Sequence, residues 1–160
     1  MKKIIIIFLI GSFISSCEPD DICLTSIPDT PKLIIGFYDA SSGLKKEVYD
    51  LKIQGINSEL PYLFQTTDSI AIPLMNLEKI TSYSFIKNSK ENIKNSGNID
   101  HVLINYQYNH IYISRACGYI SNYDLDKIII ENDSINWVVK SEIINSAIND
   151  EKAIHVKIFH

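Results

Sequence analysis

From Lys32 to Phe159 the chain is a succession of short runs in which apolar and polar residues alternate. Successive side chains of a pleated strand point to opposite sides, so alternation with a period of two marks a strand with one buried face. Glu47 to Gln54 sets Tyr49, Leu51 and Ile53 on one face and Asp50 and Lys52 on the other. Lys32 to Asp39, Ser69 to Leu74, Ser82 to Lys87, Tyr119 to Ile130, Ser134 to Lys140 and Glu151 to Phe159 also read as strands, separated by clusters of turn-forming residues. Pro73 cannot donate to a sheet ladder, so Ser69 to Leu74 is expected at an edge or a strand end. Asn88 to Asn98 is polar and reads as a long exposed loop. No amphipathic helix separates the strands. The expected fold is therefore all-β: an antiparallel sandwich of immunoglobulin-like architecture with about eight strands. One stretch is ambiguous, because Ile143, Ile144, Ala147 and Ile148 fit a short helix near 141–149.

The region from Ile99 to Cys117 carries the clearest hairpin pattern. A two-residue turn at Asn109-His110 pairs Tyr108 with Ile111 and Val102 with Cys117. Val102, Ile104, Tyr106, Tyr108, Ile111, Ile113 and Cys117 then share an apolar face, with Arg115 as the misfit. Trp137 is expected in the core.

The N-terminus has a different character. Lys2-Lys3 precedes an apolar run from Ile4 to Ile14, and Ser15-Ser16-Cys17 follows. The run is too short to span a bilayer, which takes about 20 residues, and its layout is that of a cleaved export signal. Residues 1–16 read as a lipoprotein signal peptide and Cys17 as the lipidated residue. Residues 17–31 read as a tether, and 32–160 as one domain. An ordinary secretory signal with a coincidental cysteine is the alternative. Removal of residues 1–16 from the 160-residue chain leaves 144 residues, enough for one domain with a real core. It also removes Lys2 and Lys3, moving the formal charge from −4 to −6. Such a domain lacks the basic footprint of a nucleic-acid binder and would not dock on anionic lipid by charge. Its membrane contact is expected through lipid on Cys17.

Three cysteines are present. With Cys17 acylated, Cys23 and Cys117 are left as an even pair in an oxidising compartment, and a disulfide between them is expected. Two separate buried thiols are the alternative. If Cys23 is bonded, only six Cα steps separate the lipid from the fold, or roughly 20 Å at most, and the body is expected close to the bilayer.

The sequence contains no G-x-S-x-G, S-x-x-K, H-E-x-x-H, phosphate-binding glycine loop or C-x-x-C. No catalytic residue, metal or cofactor is expected. His101 and His155 would have to meet across strands to hold a metal, and ordinary strand histidines are the better reading. Nine tyrosines raise the prospect of sugar stacking, but Tyr106 and Tyr108 fall on the core face and only Tyr112 points outward by parity. Asp68-Ser69-Ile70 and Asp133-Ser134-Ile135 resemble the Asp-Ser-apolar signal for O-glycosylation in Bacteroidota, with Ser69 and Ser134 as acceptors. The same residues also suit a turn leading into a strand. Glu18-Pro19-Asp20-Asp21 resembles the acidic signal that sends lipoproteins to the cell surface, with Asp20 and Asp21 as its core; a solvated tether fits the same residues.

Asp20-Asp21-Ile22-Cys23, Thr30-Pro31 leading into Leu33–Tyr38, Ile72-Pro73-Leu74 and Ser114-Arg-Ala-Cys-Gly118 together resemble a family of small Bacteroidota lipoproteins of unassigned function. The resemblance implies that the two body cysteines belong together. It supplies no activity. The functional expectation is a lipid-anchored, non-enzymatic interaction or accessory module at the outer membrane, on its periplasmic or cell-surface face, with an outer-membrane protein as partner. A glycan- or small-ligand-binding lipoprotein and a hydrolase with an unrecognised site are the alternatives.

Overall fold

The computed structural model describes residues 22–90, 93 and 96–160. The signal segment, Cys17, Asp20 and Asp21 lie outside the described residues. The described chain is all-β, with ten strands: β1 (Leu33–Tyr38), β2 (Val48–Gly55), β3 (Tyr62–Thr67), β4 (Ser69–Ile72), β5 (Ile80–Lys87), β6 (Asn98–Ser114), β7 (Gly118–Ile130), β8 (Lys140–Ile143), β9 (Ala147–Ile148) and β10 (Val156–Phe159). They form a four-stranded sheet in the order β4-β1-β10-β8 and a six-stranded sheet in the order β3-β2-β5-β6-β7-β9. Inward residues of both sheets, among them Leu33, Ile35, Phe37, Ile53, Phe85, Val102, Ile104, Tyr106 and Ile158, make one hydrophobic cluster. This is a sandwich-like architecture. β4 is an edge strand, as Pro73 requires. One pairing departs from the antiparallel expectation: the first and last strands, β1 and β10, run parallel.

Four local expectations are corrected. There is no turn at Asn109-His110. β6 runs straight through both residues, and the chain reverses at Arg115-Ala116-Cys117, with Ser114 opposite Gly118. Gly118 has φ +70°, the left-handed backbone that closes a three-residue hairpin loop. Glycine adopts that conformation without the steric cost that Asn109 or His110 would bear. Cys117 therefore sits in the turn and not in the core.

No helix forms near 141–149. The apolar residues there do not make one stripe: Ile148 is fully buried while Ile144 is half exposed. The segment crosses between sheets, with β8 pairing to β10 and β9 to β7. Ser134 to Val139 is a loop into β8, and of the expected strand only Lys140 is one. Trp137 is nevertheless buried, and its Nε1 donates to the Phe85 carbonyl at 3.1 Å. The buried Asp100 carboxylate accepts from the Val138 N–H at 2.7 Å, which holds the loop where no ladder exists. In β2, Asp50 takes φ +47° and the alternation slips, so Tyr49 faces solvent while Val48, Leu51 and Ile53 face the core.

The crossing between the two sheets is held by tyrosine hydroxyls. After β4 the chain crosses to the six-stranded sheet through Pro73-Leu74-Met75, and the three carbonyls each accept from a tyrosine hydroxyl. Tyr83 on β5 donates to Pro73, Tyr123 on β7 to Leu74 at 3.2 Å, and Tyr106 on β6 to Met75 at 2.7 Å. Thr81 shares its hydroxyl with Tyr106 at 2.6 Å and accepts from the Met75 N–H at 2.9 Å. Only Leu74 of this irregular crossing is buried, but where its carbonyls turn inward they need such partners, because each orphaned buried polar group costs about 1–3 kcal/mol.

Candidate functional site

β5 pairs with β6 only as far as Asn105, and β9 pairs with β7 only at Tyr123 and Asp124. Beyond them the β6–β7 hairpin continues as a two-stranded arm from Gln107 to Asn122, ending in the Arg115–Cys117 turn. A two-stranded ribbon is marginal in water without support. Here the N-terminal segment supplies it. Cys23 is disulfide-bonded to Cys117 at the tip, with Cα atoms 4.8 Å apart. Seven residues on, the Thr30 hydroxyl accepts from the Ser121 N–H at 3.1 Å. The segment thus straps the arm at two points. What the disulfide fixes beside Cys23 is the arm tip and not the body of the sandwich.

The tip exposes apolar and aromatic groups. Tyr112 and Tyr119 are register partners whose rings meet edge-on at 5.2 Å, and both are more than half exposed. Ile22 and Leu24, on either side of Cys23, are exposed as well.

A second feature lies on the outer face of the six-stranded sheet. A groove of about 1100 Å³ is lined by Lys52, Gln54, Leu63, Ser84, Ile99 and His101, and the loop after β5 adds Lys90 and Ile93 to its wall. Ser84 and His101 face each other across the β5–β6 ladder, with Oγ and Nδ1 3.1 Å apart. Such a contact follows from register alone. A nucleophilic serine also needs donors aimed at a developing oxyanion. The nearby backbone N–H groups belong to ladders on both sides of β5 and β6. The groove is a polar surface with apolar patches.

The other residues singled out from sequence are dispersed. His101 is exposed in the groove, whereas His155 is buried just before β10. Among the described residues no three His, Cys, Asp or Glu side chains gather where they could hold a metal ion. Ser69 is half-buried on β4 with its hydroxyl donating to Asp68, and Ser134 is exposed on the loop before Trp137.

His155 is instead a structural junction. Its Nδ1 accepts from the Ile34 N–H at 3.0 Å, its own N–H donates to the Ile34 carbonyl, and its carbonyl accepts from Ile144 and Asn145. Burial holds its pKa below the usual histidine value, and burial together with the cationic Lys87 does the same for His160. Both groups are neutral in the fold and bind protons more readily when unfolded. Their contribution is complete above about pH 6.5 and is lost as pH falls through that value towards their folded pKa. Urea midpoints are expected to fall between pH 7 and pH 5. His155→Asn, which keeps an acceptor near Nδ1 and cannot titrate there, is expected to fall less. An equal decline in wild type and variant would contradict this role.

A family model matches residues 50–160, which is 111 of the 160 residues and runs from β2 to the last strand. The chain belongs to the family of unknown function DUF6452. The DUF6452 match includes the groove, the three tyrosine ties and Cys117, and leaves β1 and Cys23 outside it. No curated protein and no solved structure matches the chain.

Proposed function

We propose that this DUF6452 protein is a lipoprotein anchored in the outer membrane of a bacterium through acylated Cys17, and that its sandwich is a non-enzymatic interaction module. The observation that carries the reading is the Cys23–Cys117 bond. It leaves Cys17 as the unpaired cysteine of the three, at the end of an apolar export-like segment. With two or more acyl chains, attachment is permanent. The arm then sets the body off the bilayer: Tyr123, where the core begins, is six residues from Cys117, or about 20 Å along β7. The groove is the surface offered to a partner, and another outer-membrane protein suits a module held at that height. Asp20 and Asp21 favour the cell-surface face, and Ser134, being exposed, is the better placed of the two glycosylation candidates.

Intact-mass measurement of protein extracted from membranes tests the anchor. The expected result is a chain beginning at acylated Cys17, with Cys17→Ser blocking both processing and retention. An unprocessed, unacylated N-terminus would overturn it. Any glycan mass should disappear with Ser134→Ala and Ser69→Ala together. Crosslinking in detergent-solubilised outer membranes tests the module, with an outer-membrane protein expected in stoichiometric yield; recovery of none counts against it.

A ligand-binding reading is favoured by the same groove, whose hydrogen-bonding side chains flank apolar ones. A glycan bound there would protect His101 and Lys52 from chemical modification.

A further inference from the structure

We propose that the tip of the β6–β7 arm is a membrane-contact element that inserts Tyr112 and Tyr119, with Ile22 and Leu24, into the lipid headgroup layer. This rests on the anchoring reading above and deepens it from attachment to orientation.

Four large side chains converge at one end of the molecule, exposed by 54% (Tyr112), 67% (Tyr119), 80% (Ile22) and 64% (Leu24). The convergence is covalent in origin. Ile22 and Leu24 flank Cys23, Cys23 is bonded to Cys117, and the Tyr112–Tyr119 pair is the first aromatic pair down from that turn. Nothing in the rest of the sandwich needs these groups, because the core ends at Tyr106, Tyr108 and Tyr123. Tyrosine has an apolar ring with a polar end, and it concentrates at the level of lipid headgroups for that reason.

The length of the linking segment selects the occupant. Cys17 and Cys23 are six Cα steps apart, which bounds their separation at roughly 20 Å. The tip is therefore bound to the anchor by a short covalent path, and a lipid surface is the partner always within its reach. The formal charges in this part of the chain are Arg115 in the turn and Glu18, Asp20 and Asp21 in the link. An excess of acid disfavours adsorption by charge and leaves the contact to apolar and aromatic groups. An arm seated in this way points β6 away from the bilayer. His101, 14 residues from Arg115, would then stand up to about 45 Å above the surface, with the groove facing sideways and free of lipid.

The test uses the full-length lipidated protein carrying Tyr119→Trp, reconstituted into phosphatidylethanolamine–phosphatidylglycerol vesicles brominated near the top of the acyl chains. The native Trp137 is buried and serves as internal reference and as a report of intact folding. The introduced indole is expected to lose emission to bromine, as an aromatic ring seated at headgroup depth would, while Trp137 keeps its own. Tyr112→Trp should respond similarly. Vesicle flotation separates the outcomes. A lipidated protein that fails to float overturns the anchor and this contact with it. A protein that floats with both introduced indoles unquenched overturns the contact alone.

Discussion

Replacing Cys23 and Cys117 together by serine is expected to lower the unfolding free energy by about 4 kcal/mol. The bond closes a loop with a sequence separation of 94. In the chain-entropy model, loops of about that length restrict the unfolded chain by between 4 and 5 kcal/mol. The folded state also loses something, since the arm keeps only the Thr30–Ser121 contact of its strap. Urea unfolding of wild type and variant under non-reducing conditions measures the difference. For a domain of this size the melting temperature should fall by roughly 15 °C. A loss below about 1 kcal/mol would show that the unfolded chain is already restricted without the bond.

Tyr106→Ala is expected to cost about 4 kcal/mol, in the range found for deleting a buried aromatic ring. Tyr106 is fully buried, packs edge-on against Tyr123 with ring centres 5.3 Å apart, and donates to the Met75 carbonyl at 2.7 Å. Truncation opens a cavity between the sheets and leaves the Met75 carbonyl and Thr81 hydroxyl short of a partner. Tyr106→Phe removes the hydroxyl alone and is expected to cost only about 1–2 kcal/mol. Denaturant midpoints for the two variants separate ring from hydroxyl. Equal losses would assign the whole effect to the hydrogen bond, and a loss below about 1 kcal/mol for Tyr106→Ala would remove Tyr106 from the core.

Most strands are legible in the sequence because alternation is a local property, but β3, which has no buried face, and the short β8 and β9 are not. Leu33, Ile35 and Phe37 are spaced by two residues, and all three are buried on one face of β1. The Cys23–Cys117 bond was legible from cysteine parity. What escaped depended on backbone conformation or on distant partners. Asparagine tolerates a left-handed backbone, which points to a turn at Asn109-His110, whereas Gly118 bears that conformation at less cost. Alternation puts Tyr49 inward, and the positive φ of Asp50 interrupts it. The apparent helix around Ile144 came from a segment that divides its apolar residues between two sheets. The groove draws on four strands spread from Lys52 to His101, and no local pattern announces which strand exteriors will be neighbours. The tyrosine ties are of the same kind: Tyr83, Tyr106 and Tyr123 read only as core residues until the crossing at Pro73–Met75 is seen beneath their hydroxyls.

The architecture joins these features into one account. The strap makes the segment from Cys23 to Thr30 part of the hairpin arm, and under the proposed anchoring the arm is what the lipid would hold. The direct measurement is a non-reducing peptide map of the protein isolated from cell envelopes. A single crosslinked pair containing Cys23 and Cys117, with Cys17 in an acylated peptide, is the expected result. Free thiols at both body positions, or a disulfide that includes Cys17, would contradict it.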